Sequence, residues 1–476
     1  MPAFDCGDWR DYYRWSYGSN KLYTPDHYRV GYMLIAGSRV FFDDPLFTNE
    51  YFDRVVRKGW FGNLQKTVKA ASGIRFRDSF RHIEEGFQRI WSEEAALREP
   101  FMPAKQITGS PRLHTEYSGA VASEGSGIYS LKSGLVIPNS LVRLDKDGNE
   151  RRIRSFASYT SELFLDPAGQ RIFWSESVAG RRWTLGGSSR IRYAELSNPE
   201  KVHDLTKKGR FFNPAPSPDG EVVAVTEYPY SGGSRIVLLR ASDGAELKSY
   251  IAPDSLQFTE TAWLGERLFA AGLSENGMGV YEIVGQGIDG KAGLRVLLGA
   301  QPVTLSHLRT VSEETVRALR QAGVVRQAHQ PAEGQRPDTS ATEFCQGHRA
   351  CRGAGSVEMS GRALRQAQRP DEVTKFPEVK ALSFLCDRTG VTELYSLDVE
   401  NLELFQLTAT RYGISSPVFG SGADTLYYSS LAASDRPQDY RQGRMMYATA
   451  VSDLPCRLVS FEDIHKYPVE IGRAHV

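Results

Sequence analysis

Cysteine is scarce in this chain of 476 residues: Cys6, Cys345, Cys351, Cys386 and Cys456 are odd in number and widely scattered. That spacing makes no disulfide framework and leaves the redox compartment unread. An excess of one charge is lacking too, since 58 Lys+Arg stand against 57 Asp+Glu. A near-neutral chain has no field to draw it to nucleic acid, and no nucleic-acid partner is expected. No apolar run approaches the ~18 residues of a membrane-spanning helix, so no transmembrane segment is expected. The opening MPAFDCGDWRDYY has neither the basic stretch nor the apolar stretch of a signal peptide. Gly-x-Ser-x-Gly elbows, Walker loops and dinucleotide fingerprints are also missing, which removes the common signals for serine hydrolysis and nucleotide chemistry.

What the chain has in quantity is Gly (44), Phe (23) and Tyr (22), the composition of a turn-rich β protein. Its first hundred residues are the exception. Thr24, Pro25 and Asp26 form a good helix start, and Tyr28, Tyr32, Ile35 and Arg39 follow at helical spacing. Thr48 can cap a second helix carrying Phe52, Val55 and Val56, which Gly59 ends. A third, around NLQKTVKAASG, stops at Gly73. The fourth places Phe76, Phe80, Ile83, Phe87 and Ile90 on one stripe.

From about 115 the pattern turns to short strands. In PAPSPDGEVVAVTEY, three prolines and Asp219-Gly220 make a corner that feeds the apolar run Val222–Val225. The corner recurs as Asp166-Pro-Ala-Gly169, 51 residues earlier, then at Gly265 and in the stretch from Ser416. Between corners lie hairpins such as SRIVLLRASDGAELKSY and ELYSLDVENLELFQLT. Four strands per turn signature is the mark of propeller blades. The expected fold is therefore mainly β: a propeller of about six four-stranded blades preceded by a small helical domain. The expected blades are 117–156, 157–207, 208–254, 255–302, 303–411 (interrupted) and 412–465, with Ala224 and Phe173 facing inward. Domains read as helices over 1–100, blades over 115–311, a disordered insert over 312–375, blades over 376–465, and a tail over 466–476. The insert repeats Arg-Ala-Leu-Arg-Gln-Ala at 317–322 and 362–367, with almost no aromatics. The last six residues, IGRAHV, match what a common sequencing-library adapter encodes, so native sequence is expected to continue past them.

Several constellations fall to plainer readings. Cys345-x-x-His348-x-x-Cys351 offers soft ligands but no fourth, inside the insert, and no metal site is assigned. His82, Glu84 and Glu85 read as helix-surface charge, because no second histidine stands four residues away. Tyr12, Tyr13, Trp15 and Tyr17 could form a ligand platform, but they read as packing.

Residues 157–308 and 377–465, with APSPDG and FLCDRTGVTELYSLDVENLELFQLT, resemble the TolB-like and WD-type propeller repeats of bacterial extracytoplasmic proteins. Residues 5–100, with TPDHYRVGYMLIAG and RKGWFGNLQKTV, resemble the C-terminal helical part of gluzincin-type metallopeptidase domains. The joint resemblance implies a bacterial envelope protein, periplasmic or outer-membrane associated, binding a protein or peptide partner at a propeller face. Its alternative is a propeller that presents substrate to a zinc peptidase domain. The zinc-binding His-Glu-x-x-His helix would then lie upstream, with no cofactor in this chain and no peptide hydrolysis by it alone. Tyr28 is the one residue at a place where such domains sometimes set a transition-state tyrosine. A third possibility, a serine-peptidase propeller, would need a nucleophile elbow after the last blade.

Overall fold

The computed structural model describes residues 2–460 except 9, 20–26, 60–62, 124, 126, 146–147, 159, 181–186, 288, 330–380, 433–438 and 440–441. Thr24–Asp26, the Cys345–Cys351 motif and the tail from 461 onward lie outside the described residues.

Six helices come first: α1 Pro2–Asp5, α2 Tyr12–Ser16, α3 His27–Phe41, α4 Phe47–Lys58, α5 Asn63–Ser72 and α6 Phe76–Arg98. Gly59 (φ 80°) and Gly73 (φ 75°) end α4 and α5 as expected, in the left-handed region where an added Cβ is costly. Thr48 does not cap α4: it lies inside the helix, whose N-cap Leu46 makes no side-chain cap bond. Phe80, Ile83 and Phe87 of α6 pack with Val30, Met33 and Leu34 of α3 around Phe4 and Trp15. Two α4 residues differ from the expected apolar face: Phe52 and Val56 are exposed, and only Val55 turns inward. Glu84 is also not the surface charge expected. It sits on the stripe with Phe80, Ile83 and Phe87 and is 2 % exposed.

The remainder is a six-bladed β-propeller of antiparallel sheets. Blade 1 spans 115–155, blade 2 164–204, blade 3 211–251 and blade 4 256–301, each with four strands in sequence order. The repeated corner is not a blade entrance: it joins the first strand of a blade to the second, and it does so for a local reason. Ser217 Oγ accepts from the Val222 amide and Asp219 Oδ1 from the Glu221 amide, while Gly220 holds φ 73°. Val223, Ala224 and Val225 follow as a fully buried run, and Phe173 is buried likewise in blade 2.

The last two blades depart from the expected partition. Blade 6 takes strands Ser415–Phe419, Thr425–Leu431 and Arg444–Ala450, and its fourth is Lys105–Gln106 from before blade 1. That closure joins the two ends of the ring. Blade 5 runs from its inner strand Leu305–Val311 through Ala381–Cys386 and Glu393–Asp398 to Leu404–Gln406. Arg457–Val459, expected in blade 6, instead pairs with that last strand as a fifth. The start of the expected insert is ordered as well. Helix α7, Glu313–His329, leaves the inner strand of blade 5, and Val316 and Leu319 pack against Val451 and Leu454. The first Arg-Ala-Leu-Arg-Gln-Ala copy thus has an apolar face, which a low aromatic count concealed.

Candidate functional site: the charged ring on the propeller axis

The innermost strand of every blade carries one extra residue relative to its partner. The slips fall between Ser118 and Val121, Phe212 and Ala215, Phe258 and Glu260, Ser306 and Arg309, and Ser415 and Val418. In blade 2 the same slip lies between the Thr160–Glu176 bridge and the Phe164–Phe173 pair. A bulge re-aims side chains and frees backbone groups from the ladder. Four bulge residues hold left-handed backbone: Gly119 (φ 58°), Asn213 (φ 51°), His307 (φ 58°) and Ser416 (φ 50°). For the three with side chains this is strain of order 1 kcal/mol each, which surrounding bonds must overcome.

Those bonds form one network. Asn213 Nδ2 donates to Thr259 O (2.8 Å), tying blade 3 to blade 4. Glu260 accepts from the His307 and Leu308 amides (3.1 and 2.8 Å), tying blade 4 to blade 5. His307 Nε2 meets Pro417 O at 2.8 Å, and the Gly119 amide donates to Ser416 Oγ at 2.7 Å. Blades 5, 6 and 1 are joined by those two bonds. Across the ring, His307 Nδ1 lies 2.5 Å from Glu162 Oε2, and Arg309 Nη2 3.3 Å from the same oxygen. Blades 2 and 5 are diametrically opposed in a six-blade ring, so this pair spans the axis.

The electrostatics follow from the placement. His307 is buried, with Nδ1 facing Glu162 Oε2 and Nε2 facing Pro417 O. Arg309 lies 3.9 Å over the Phe164 ring, which holds its guanidinium toward the axis. Burial alone would raise the Glu162 carboxyl. The charge and hydrogen bond of His307, then Arg309 and Ser416, outweigh it and hold the group down at about 2. Glu162 therefore stays ionised, with 37 % of its side chain exposed to the channel. The arrangement can hold and orient polar groups along the axis.

A second concavity of about 690 Å³ lies between blades 3 and 4, bounded by Pro229, Ser234, Ile251, Ser255 and Lys291. Its two cations are already matched, with Lys291 Nζ 2.9 Å from Asp254 and Arg235 Nη1 2.9 Å from Glu246.

None of the axial residues stood out in the sequence. Glu162 and Asn213 do share one signal, each standing four residues before the aligned corners Asp166 and Ser217 as a polar residue in an apolar strand. Tyr28 lies elsewhere, 76 % exposed near the start of α3, its ring 4.2 Å from that of His27. The aromatic quartet divides rather than forming a platform. Trp15 stacks on Phe4 and Tyr12 meets Phe76 and Phe80 edge-on, while Tyr13 and Tyr17 are exposed. His82 stacks on Phe42. Among the described residues no three His, Cys, Asp or Glu side chains gather as a metal-ligand set.

No protein-family model matches the chain, and no curated protein matches it. Among solved structures, TolB from Acinetobacter baumannii is similar over 82 % of this chain and 70 % of its own, at 10 % identity and a TM-score of 0.36. A putative TolB from Agrobacterium tumefaciens is similar over 64 % of this chain and 84 % of its own, at 13 % identity and a TM-score of 0.36. The β-propeller domain of the Trilobed protease from Pyrococcus furiosus is similar over 74 % and 97 %, at 10 % identity and a TM-score of 0.37. Likeness at this level is likeness of fold and carries no function across.

Proposed function

We propose that this chain acts as a binding propeller of the bacterial envelope, taking a protein or peptide partner at one mouth of its axial channel. The observation that carries the reading is the charged ring itself. Six bulged inner strands bring polar residues to the axis, three of them (Asn213, His307 and Ser416) in strained left-handed backbone. Glu162, Glu260, Arg309 and Ser416 offer acceptors and donors to a group entering the channel. Such strain is retained where pre-organised polar groups serve recognition. The envelope location rests on the Asp387-Arg388-Thr389-Gly390 … Leu394-Tyr395 cadence alone.

A displayed peptide library selected on the purified chain tests the binding reading. Selected peptides should bind at least tenfold more weakly to Arg309→Gln and Glu260→Gln variants that keep the parent's secondary structure. Binding indifferent to both substitutions would place any partner away from the axis. Fractionation of cells expressing the source gene tests the location.

A further inference from the structure

The helical unit and the propeller are packed separately. Among the described residues, the core around Phe4, Trp15 and Phe87 draws on side chains from Ala3 to Trp91 and on none from the propeller. Several of the hydrogen bonds joining the two parts converge on one segment of the link between blades 5 and 6. Asp5 Oδ2 accepts from Arg411 Nε (3.0 Å) and from Tyr412 Oη (2.7 Å). Arg98, at the end of α6, donates to Thr410 O (2.7 Å). The segment is itself braced from beneath, because the buried Glu393 carboxylate accepts from Thr408 Oγ1 and from the amide and hydroxyl of Thr410.

This segment leads directly into the inner strand of blade 6, where Ser416 meets Glu162 and Gly119. At the same end of the ring, Arg29 of α3 lies within electrostatic reach of Arg444 in blade 6 and Glu116 in blade 1. Arg444 in turn donates to Ser415 Oγ at 3.4 Å. The helices therefore meet the propeller at the end of the ring where the inner strands of blades 6 and 1 begin, beside that mouth of the channel.

We infer that the helical unit is a removable cover on this mouth, held by the Asp5–Arg411–Tyr412 clasp and by Arg98. The inference rests on the binding reading for its purpose, since it names what controls access to that site. Polar bonds on a half-exposed seam compete with water, whereas an apolar interface would not release. The backbone bond from the Met102 amide to Ala409 O keeps the tether short, so the cover tilts rather than departs.

Hydrogen–deuterium exchange of the full chain, without any ligand, tests the cover separately from binding. Asp5→Ala and Arg98→Gln should each accelerate exchange at least threefold in peptides spanning 2–8, 115–120 and 408–418. Peptides spanning 222–240 in blade 3 should exchange as in the parent. Unchanged exchange at 115–120 would mean that the clasp covers nothing, and acceleration reaching blade 3 in both variants would mean that it supports the whole fold. Either result overturns the inference, while loss of peptide selection with this exchange pattern intact would overturn only the binding reading.

Discussion

Glu162 Oε2 and His307 Nδ1 meet at 2.5 Å from opposite blades of the ring, 145 residues apart in the chain. This contact closes a strained bulge in blade 5 onto the bulge of blade 2. It does so with charge on both sides, which makes each partner costly to remove alone.

His307→Leu should therefore destabilise the propeller by about 3 kcal/mol, because Glu162 loses its main partner and Pro417 O is left unpaired. Glu162→Gln keeps an acceptor in place and should cost about 1 kcal/mol. Urea unfolding of the three proteins measures both. Equal losses would mean that the charge of Glu162, rather than the placement of His307, governs the contact.

Stability should also depend on pH through Glu393. Burial pushes this carboxyl up to about 7, against the hydrogen bonds from Thr408 and Thr410. A raised folded value means that the folded chain holds the proton more tightly than the unfolded one. The contribution is thus full below the unfolded value near 4.3 and is lost as pH rises through about 7. The loss is on the order of 3 kcal/mol. Glu84, raised to about 8 by burial, acts in the same direction and is present in any single variant at Glu393. Melting temperatures at pH 5 and pH 8 should differ less for Glu393→Gln than for the parent. An unchanged difference would remove Glu393 as the source.

Two glycines should respond to the same substitution with opposite signs. Gly119 has φ 58°, and a Cβ there would lie 3.1 Å from Glu162 Cα. Gly119→Ala should cost about 2 kcal/mol, from left-handed strain and from pressure on the ring. Gly31 lies inside α3 with open space where its Cβ would be. Gly31→Ala should stabilise by about 0.5 kcal/mol through helix propensity. Thermal melts of the two variants decide this.

Helix α7 gives a further test. Leu319→Ala removes a buried side chain from the contact with Val451 and Leu454 and should cost about 2–3 kcal/mol. A deletion beginning at 312 should be destabilising for the same reason, and one confined to 330–375 keeps that contact. Denaturation of both deletions separates the contribution of the packed helix from that of residues 330–375.

Much of the architecture was legible because its causes are local. A Ser-Pro-Asp-Gly corner folds by bonds reaching five residues, so its recurrence, with the hairpins between the corners, revealed the blade repeat. The 3-to-4 spacing of Phe80, Ile83 and Phe87 likewise specified α6 without reference to anything distant. Leu319 escaped for the converse reason, since one apolar residue among arginines gains its meaning only from Val451 and Leu454.

By itself, then, the sequence determined a turn-rich propeller of about six blades behind a helical unit, because turn chemistry and side-chain period act over a few residues. Only the tertiary structure decided how the ring closes and what lies on its axis. Gln106 completes blade 6 beside Tyr447, 341 residues away, and Arg457–Val459 crosses to blade 5, because an edge strand accepts any backbone that reaches it. The axial ring needs six bulges brought to one line before Glu162, Glu260, His307 and Arg309 can meet. Charges from opposite blades acquire a common field only when the closed ring has excluded the water between them.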